Sequence, residues 1–212
     1  MRVQDYSFQP IDSKMYIIIE KNKALVIDPC IREEAFSLLD NNGVKEVLII
    51  LTHEHYDHIS GVNAFKEKFQ CQVVCSKKCA KNIQSAKDNI SRYYDILFLN
   101  KDMTEYKRTE PYECTATWEF EEEALLHWEG HDVYLKETPG HSEGSICIVI
   151  DKVYVFTGDS LLRDTDVTTK MKSGSKEKYN EITKPFLENI APDGYIYPGH
   201  GMSGYRTDFR IT

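Results

Sequence analysis

Residues 47–51, Val-Leu-Ile-Ile-Leu, are apolar at every position and run directly into Thr52-His53-Glu54-His55-Tyr56-Asp57-His58. A run with no polar alternation suits a strand covered on both faces, so the chain must supply packed layers on either side of it. After the histidines, Ile59, Val62, Phe65 and Phe69 recur at helical spacing. A strand-loop-helix unit therefore carries four polar groups at the end of a buried strand. Before it, strands are expected at 16–20 and 24–27, followed by a helix whose apolar residues are Ile31, Ala35, Leu38 and Leu39 and which Gly43 closes.

The same pattern returns three more times. A strand at 133–137 leads into Thr138-Pro139-Gly140-His141, one at 153–157 into Gly158-Asp159, and one at 195–197 into Pro198-Gly199-His200. If these strands point one way, every one of these side chains meets on one rim, the usual place for loops that do chemistry. His53 and His55, two apart, lie on one side of an extended loop and can grip one ion, while Asp57 and His58 continue towards a second. Five imidazoles and two carboxylates without a thiolate make a nitrogen-and-oxygen site suited to zinc, with iron or manganese as alternatives. Ordinary loop histidines would not place five of seven at strand ends.

Further strands are expected at 72–75, 117–120 and 145–150, a polar helical stretch over 77–100, an irregular insertion at about 101–115 and a last helix over 176–190. Both halves run strands first and helix after, so residues 1–212 are read as a single domain of two similar layers packed face to face. With 26 basic against 34 acidic side chains the formal charge is −8, which repels a polyanion and argues against a nucleic-acid partner. No apolar run reaches the length of a membrane span, and the first twenty residues lack a signal-peptide core. The six cysteines are then read as free thiols in a cytoplasmic protein. Cys71, Cys75 and Cys79 are four apart, but with a strand followed by an N-capping Ser76 their side chains need not converge, so they are read as structural.

The succession His-x-His-x-Asp-His, Pro-Gly-His-Ser, Thr-Gly-Asp and Pro-Gly-His resembles the ligand set of the metallo-β-lactamase superfamily over nearly the whole chain. That resemblance implies an α/β fold, a four-layered αβ/βα sandwich with two mixed sheets face to face and helices outside. It assigns His53, His55 and His141 to a first metal, Asp57, His58 and His200 to a second, and Asp159 to a bridge between two zinc ions. Thr157-Gly158-Asp159-Ser160-Leu161 and Pro139-Gly140-His141-Ser142-Glu143-Gly144-Ser145 look most like the glyoxalase II branch. The implied activity is hydrolysis of a small thioester by a metal-bridging hydroxide, with Asp57 steering the proton. The alternatives are a lactone or β-lactam hydrolase, a mono-iron sulfur dioxygenase, and a non-catalytic binding protein on the same scaffold. Only 12 residues follow His200, so the C-terminal region that grips glutathione in that branch is expected to be missing, and Leu161-Leu162-Arg163 lacks the Gly-Arg pair of related small hydrolases.

Tyr56, Arg163, Lys170, Tyr205 and Arg206 stand in or just after ligand loops and are the candidate contacts to a small-molecule substrate. Glu54 and Tyr56 alternate with the ligands and should point away from the metals, Tyr56 towards the pocket wall. Asp28, before Pro29, is read first as a turn former and second as a partner orienting a ligand histidine. His127 and His131 flank a hairpin at Gly130 and are read as surface residues, and Glu119 with Glu121–Glu123 as a solvated turn.

Overall fold

The computed structural model describes residues 1–9, 11–98 and 109–212. Among them twelve strands form two six-stranded sheets. In the first, spatial order follows chain order: β1 (Val3–Phe8), β2 (Ser13–Glu20), β3 (Lys23–Ile27), β4 (Glu46–Ile50), β5 (Gln70–Ser76) and β6 (Trp118–Phe120). β1 to β3 are an antiparallel meander, and β3 to β6 run parallel. Their crossovers carry α1 (Glu33–Asn41), then α2 (Tyr56–Ile59) and α3 (Val62–Lys68), then α4 (Lys77–Asn82). The second sheet comprises β7 (Glu123–Trp128), β8 (His131–Glu137), β9 (Ile146–Ile150), β10 (Tyr154–Gly158), β11 (Tyr195–Pro198) and β12 (Gly204–Tyr205), in spatial order β12-β11-β10-β9-β8-β7. Only its β10–β11 pair is parallel, joined by a crossover that carries α5 (Lys176–Lys178) and α6 (Lys184–Glu188).

Period-two alternation builds the layers. On β2, Met15 and Ile17 face the helices while Tyr16 and Ile18 face the other sheet, and all four are buried. The central layer packs Tyr16, Ile18, Leu25, Ile27 and Ile50 against Val133, Leu135, Ile148 and Phe156. Outside it, Ala35, Phe36, Leu39 and Phe65 cover the first sheet, and Tyr179 and Leu187 cover the second. This is the expected arrangement of two mixed sheets with helices on both outer faces, and the apolar run on β4 is covered on both sides as its composition requires.

Local differences have local causes. The helical stretch expected over 77–100 stops after Asn82; turns follow, then a 3₁₀ helix at Ser91–Phe98. Buried Asn89 captures the backbone there: its Oδ1 accepts from Ser91 N at 2.9 Å and its Nδ2 donates to Tyr112 O at 2.7 Å, and Ile90 is left-handed (φ 63°). Residues 101–108 of the expected insertion lie outside the described residues, and 109–117 carry neither helix nor strand. The last helix contains a π-helical turn at Tyr179–Thr183, where Lys184 N donates to Tyr179 O just before Pro185, which has no N–H to continue the ladder. The edge strands β1 and β12 and the strand β7 had no clear signal. The hairpin at Gly130 is present, closed between Trp128 and His131 by left-handed Glu129 (φ 47°) and Gly130 (φ 94°).

Candidate metal centre

β8, β10 and β11 run in one direction, and their C-terminal ends meet the loop after β4 at one rim. There the side chains gather into two triads. His55 Nδ1 lies 3.1 Å from His53 Nε2 and 3.0 Å from His141 Nε2. His58 Nε2 lies 3.1 Å from Asp57 Oδ2 and 3.4 Å from His200 Nε2, with His200 Nε2 3.4 Å from Asp57 Oδ2. Asp159 stands between them: Oδ2 is 3.4 Å from both His141 Nε2 and His200 Nε2, and Oδ1 is 3.5 Å from His58 Nε2. All seven side chains singled out as ligands in the sequence thus converge. Gly199 makes room for them, since a Cβ there would stand 2.1 Å from Asp159 Oδ1.

The outward nitrogens explain the aim of the inward ones. His58 Nδ1 donates to Asp28 Oδ2 at 2.8 Å, His141 Nδ1 to Thr168 O at 2.9 Å, and His200 Nδ1 to Ile11 O at 3.1 Å. His53 Nδ1 pairs with Thr52 Oγ1 at 3.0 Å, and that hydroxyl donates to Asp28 Oδ2 at 2.5 Å. With each of these protons outward, the neutral form of each of these four rings turns its Nε2 lone pair into the cluster, where it meets another imidazole or a carboxylate oxygen. In that form acceptors face acceptors, which calls for a cation between them, a metal ion or a proton on the ring, and the buried Asp159 Oδ1 has no hydrogen-bond partner among the described residues. The donor set therefore fits divalent metal ions.

Asp28, His53 and His58 also lie close enough to suggest a third triad. Asp28 is already engaged, however, by Thr52 N at 2.7 Å, Thr52 Oγ1 and His58 Nδ1. It is a left-handed residue (φ 52°), as a turn former would be, and it also orients His58, the alternative that ranked second in the sequence. Asp28→Asn keeps a side chain that tolerates left-handed backbone but removes the charge facing His58. It is expected to weaken metal retention about 10- to 100-fold, as measured by competition with a chromophoric chelator.

Charge divides the two triads. Burial, then His141, pushes His55 down to about 3, and burial with His58 and His55 pushes His53 well below the usual imidazole range. Burial would also lower His200 and His58, but carboxylates outweigh it: Asp159 and Asp57 raise His200 to about 10, and Asp57, Asp159 and Asp28 hold His58 well above its ordinary value. Burial would raise Asp57 and Asp159, yet His58 and His200 respectively hold them well below the ordinary carboxylate range. His53 and His55 can thus accept a cation as neutral rings, whereas His200 must first lose a proton at any pH below about 10. Zinc affinity at the Asp57-His58-His200 triad should therefore rise with pH up to that value, with proton release on binding. The His53-His55-His141 triad should fill first at pH 6. Calorimetric titrations in buffers of different protonation enthalpy check both expectations.

Tyr56 forms part of an aromatic wall beside Asp57, its ring 5.9 Å from Phe8, 5.0 Å from Tyr94 and 5.5 Å from Tyr112. Arg163, Arg206 and Tyr205 have partners of their own. Arg163 Nη1 donates to Ser203 O at 3.3 Å, and Arg206 donates to Leu187 O and Phe209 O, each at 3.1 Å. Tyr205 pairs with Tyr195, at the end of β11 away from His200. His127 and His131 sit on the β7–β8 hairpin, paired with Asp132 at 2.7 Å and Asp151 at 2.6 Å. Cys71, Cys75 and Cys79 are free thiols, and Ser76 caps α4 by accepting from Cys79 N at 3.2 Å.

Residues 9–200 match the metallo-beta-lactamase superfamily. The chain belongs to that superfamily. A relative of Methanocaldococcus jannaschii, named as a probable metallo-hydrolase, is 30% identical over 93% of this chain and 91% of its own length. The hydroxyacylglutathione hydrolase of Pelagibacter ubique is 28% identical over 94% of this chain and 71% of its own length. Among solved structures, the BLEG-1 B3 metallo-beta-lactamase superposes with a TM-score of 0.82 at 22% identity, over 98% of this chain and 95% of the other. As a superfamily hydrolase the protein acts on a small molecule, and no helix among its described residues is long and apolar enough to cross a membrane.

Proposed function

We propose that this metallo-beta-lactamase superfamily member is a two-metal hydrolase, zinc-dependent, whose substrate is a small thioester. One observation carries the two-metal reading: the Asp159 carboxylate faces both triads, 3.4 Å from His141 Nε2 on one side and from His200 Nε2 on the other. His53, His55 and His141 would hold one cation, Asp57, His58 and His200 the other, and Asp159 both. Divalent cations in such a site acidify water and polarise a carbonyl oxygen.

The chain's own groups supply the rest. Asp57 is anchored through its backbone, whose carbonyl accepts from Ser13 Oγ at 3.2 Å, and its carboxylate is held ionised among His58 and His200. It would steer the proton of an attacking water and pass it towards the departing sulfur. The wall of Phe8, Tyr56, Tyr94 and Tyr112 keeps that side of the rim apolar, which strengthens every charge interaction within. The thioester reading is supported by the motif sequences Thr157–Leu161 and Pro139–Ser145 and by the Pelagibacter relative, which is named for hydroxyacylglutathione hydrolysis. A single iron would leave the Asp57-His58-His200 triad without a role.

The test pairs elemental analysis with hydrolysis of small acyl thioesters, lactones and β-lactams on one preparation. About two zinc ions per chain are expected, with thioesters preferred at least tenfold in kcat/KM, about 1.4 kcal/mol. One iron and no zinc, or two zinc ions with no thioester hydrolysis, would overturn the proposal.

A further inference from the structure

Glu54 stands between two of the seven converging side chains and takes no part in the cluster, yet it is fully buried. A buried carboxylate without a partner is costly, so its surroundings show what it does. Asn82 Nδ2 donates to its Oε1 at 3.0 Å, Ser173 Oγ donates to the same oxygen at 3.2 Å, and Ser142 Oγ donates to Oε2 at 2.8 Å. None of these donors is charged, and each comes from a different part of the chain.

Ser142 follows His141 directly, and its hydroxyl is also 2.9 Å from that of Ser145. Ser173 belongs to the loop whose Thr168 O receives His141 Nδ1, and Ser173 Oγ accepts from Glu143 N at 3.3 Å. Asn82 ends α4 and donates as well to Glu143 Oε1 at 3.0 Å. The loops are pressed together around the carboxylate: a Cβ on Gly144 would stand 2.4 Å from Glu54 Oε2, and one on Gly174 would stand 2.5 Å from Thr169 O and 3.1 Å from His141 O. The side chain between His53 and His55 therefore ties their loop to the loop of His141 and to the segment that sets the His141 tautomer.

We propose that Glu54 is a positioning residue, its buried carboxylate clasping these loops so that His53, His55 and His141 hold one cation site in register. The proposal rests on the two-metal reading, but it concerns one site only. A carboxylate accepts from all three partners at once. Glutamine would replace one of those acceptor oxygens with an NH2 group, forcing Asn82 Nδ2 to lose a partner or a serine hydroxyl to turn round, and would also remove a negative charge beside the cations.

The test follows zinc release from the loaded full-length chain into excess chromophoric chelator. In Glu54→Gln one of the two zinc ions should leave at least tenfold faster while the other keeps its rate within about twofold, the usual range for loss of a partner that orients a ligand. The same acceleration should appear in a His200→Ala background, where the His53-His55-His141 site alone retains zinc. Glu54→Asp, which keeps the charge on a shorter arm, should recover part of the loss. If Glu54→Ala or Glu54→Gln does not fold, Ser173→Ala decides, since it removes one donor and should speed release of the same ion about threefold, a fraction of the full effect. Wild-type release rates in Glu54→Gln and Ser173→Ala, or equal acceleration of both ions, would overturn the role of Glu54 and leave the two-metal reading standing. A wild-type chain that holds no second zinc would overturn both.

Discussion

Asp159→Asn should keep its fold by circular dichroism, lose at least one metal ion per chain, and hydrolyse thioesters on the order of a thousandfold more slowly, about 4 kcal/mol. The change in volume is negligible, so packing against Gly199 survives. What disappears is a negative charge that faces His141 and His200 at 3.4 Å each and His58 at 3.5 Å. Dications held in the two triads would repel strongly in a buried site, and a carboxylate facing both would offset that repulsion. An amide offers one acceptor oxygen, no charge, and an NH2 group that would donate to an imidazole lone pair instead. A variant that keeps two ions and wild-type turnover would sink the assignment of Asp159 between the triads.

His53→Ala should release most of one metal ion and lower activity by a similar factor of about a thousand, while His127→Ala should leave metal content and turnover within a few-fold. The contrast arises from position. His53 is buried, fixed by Thr52 through Nδ1 and 3.1 Å from His55 Nδ1 through Nε2, so its removal opens the cluster. His127 is about three-quarters exposed and pairs with the similarly exposed Asp132, an arrangement worth at most about 1 kcal/mol to stability and with no link to the rim. Elemental analysis of both purified variants, alongside one thioester assay, distinguishes them; equal losses would mean that the ligand assignment is wrong.

What the sequence left open follows a pattern. Arg163 and Arg206 read as substrate contacts because charged residues near a site usually face solvent or ligand, and in the structure both donate to backbone carbonyls, of Ser203, Leu187 and Phe209. Those carbonyls carry no residue-specific signal. The same applies to Thr168 O and Ile11 O, which set the tautomers of His141 and His200 and could belong to any residue type. Asp28 could be seen as a candidate, but its partner His58 lies thirty residues away, and only the parallel pairing of β3 with β4 puts the two strand ends side by side. The helix expected over 77–100 failed because local periodicity cannot register a buried asparagine that bonds across to Tyr112.

By itself, the sequence determined the layers and which side chains gather at the rim. Alternation with period two on β2 and β3, an apolar run on β4, and histidines and aspartates placed directly after strands are local patterns, and local patterns are written in neighbouring residues. The division of those groups into two triads came to the sequence only through the family resemblance, and the tertiary structure supplied its physical basis. The contacts within each triad, that burial keeps His55 neutral while carboxylates keep a proton on His200, and that Glu54 ties three loops together all depend on distances between segments far apart in the chain. Electrostatic and hydrogen-bond energies are set by those distances and by exclusion of water, and neither quantity exists until the sheets have packed.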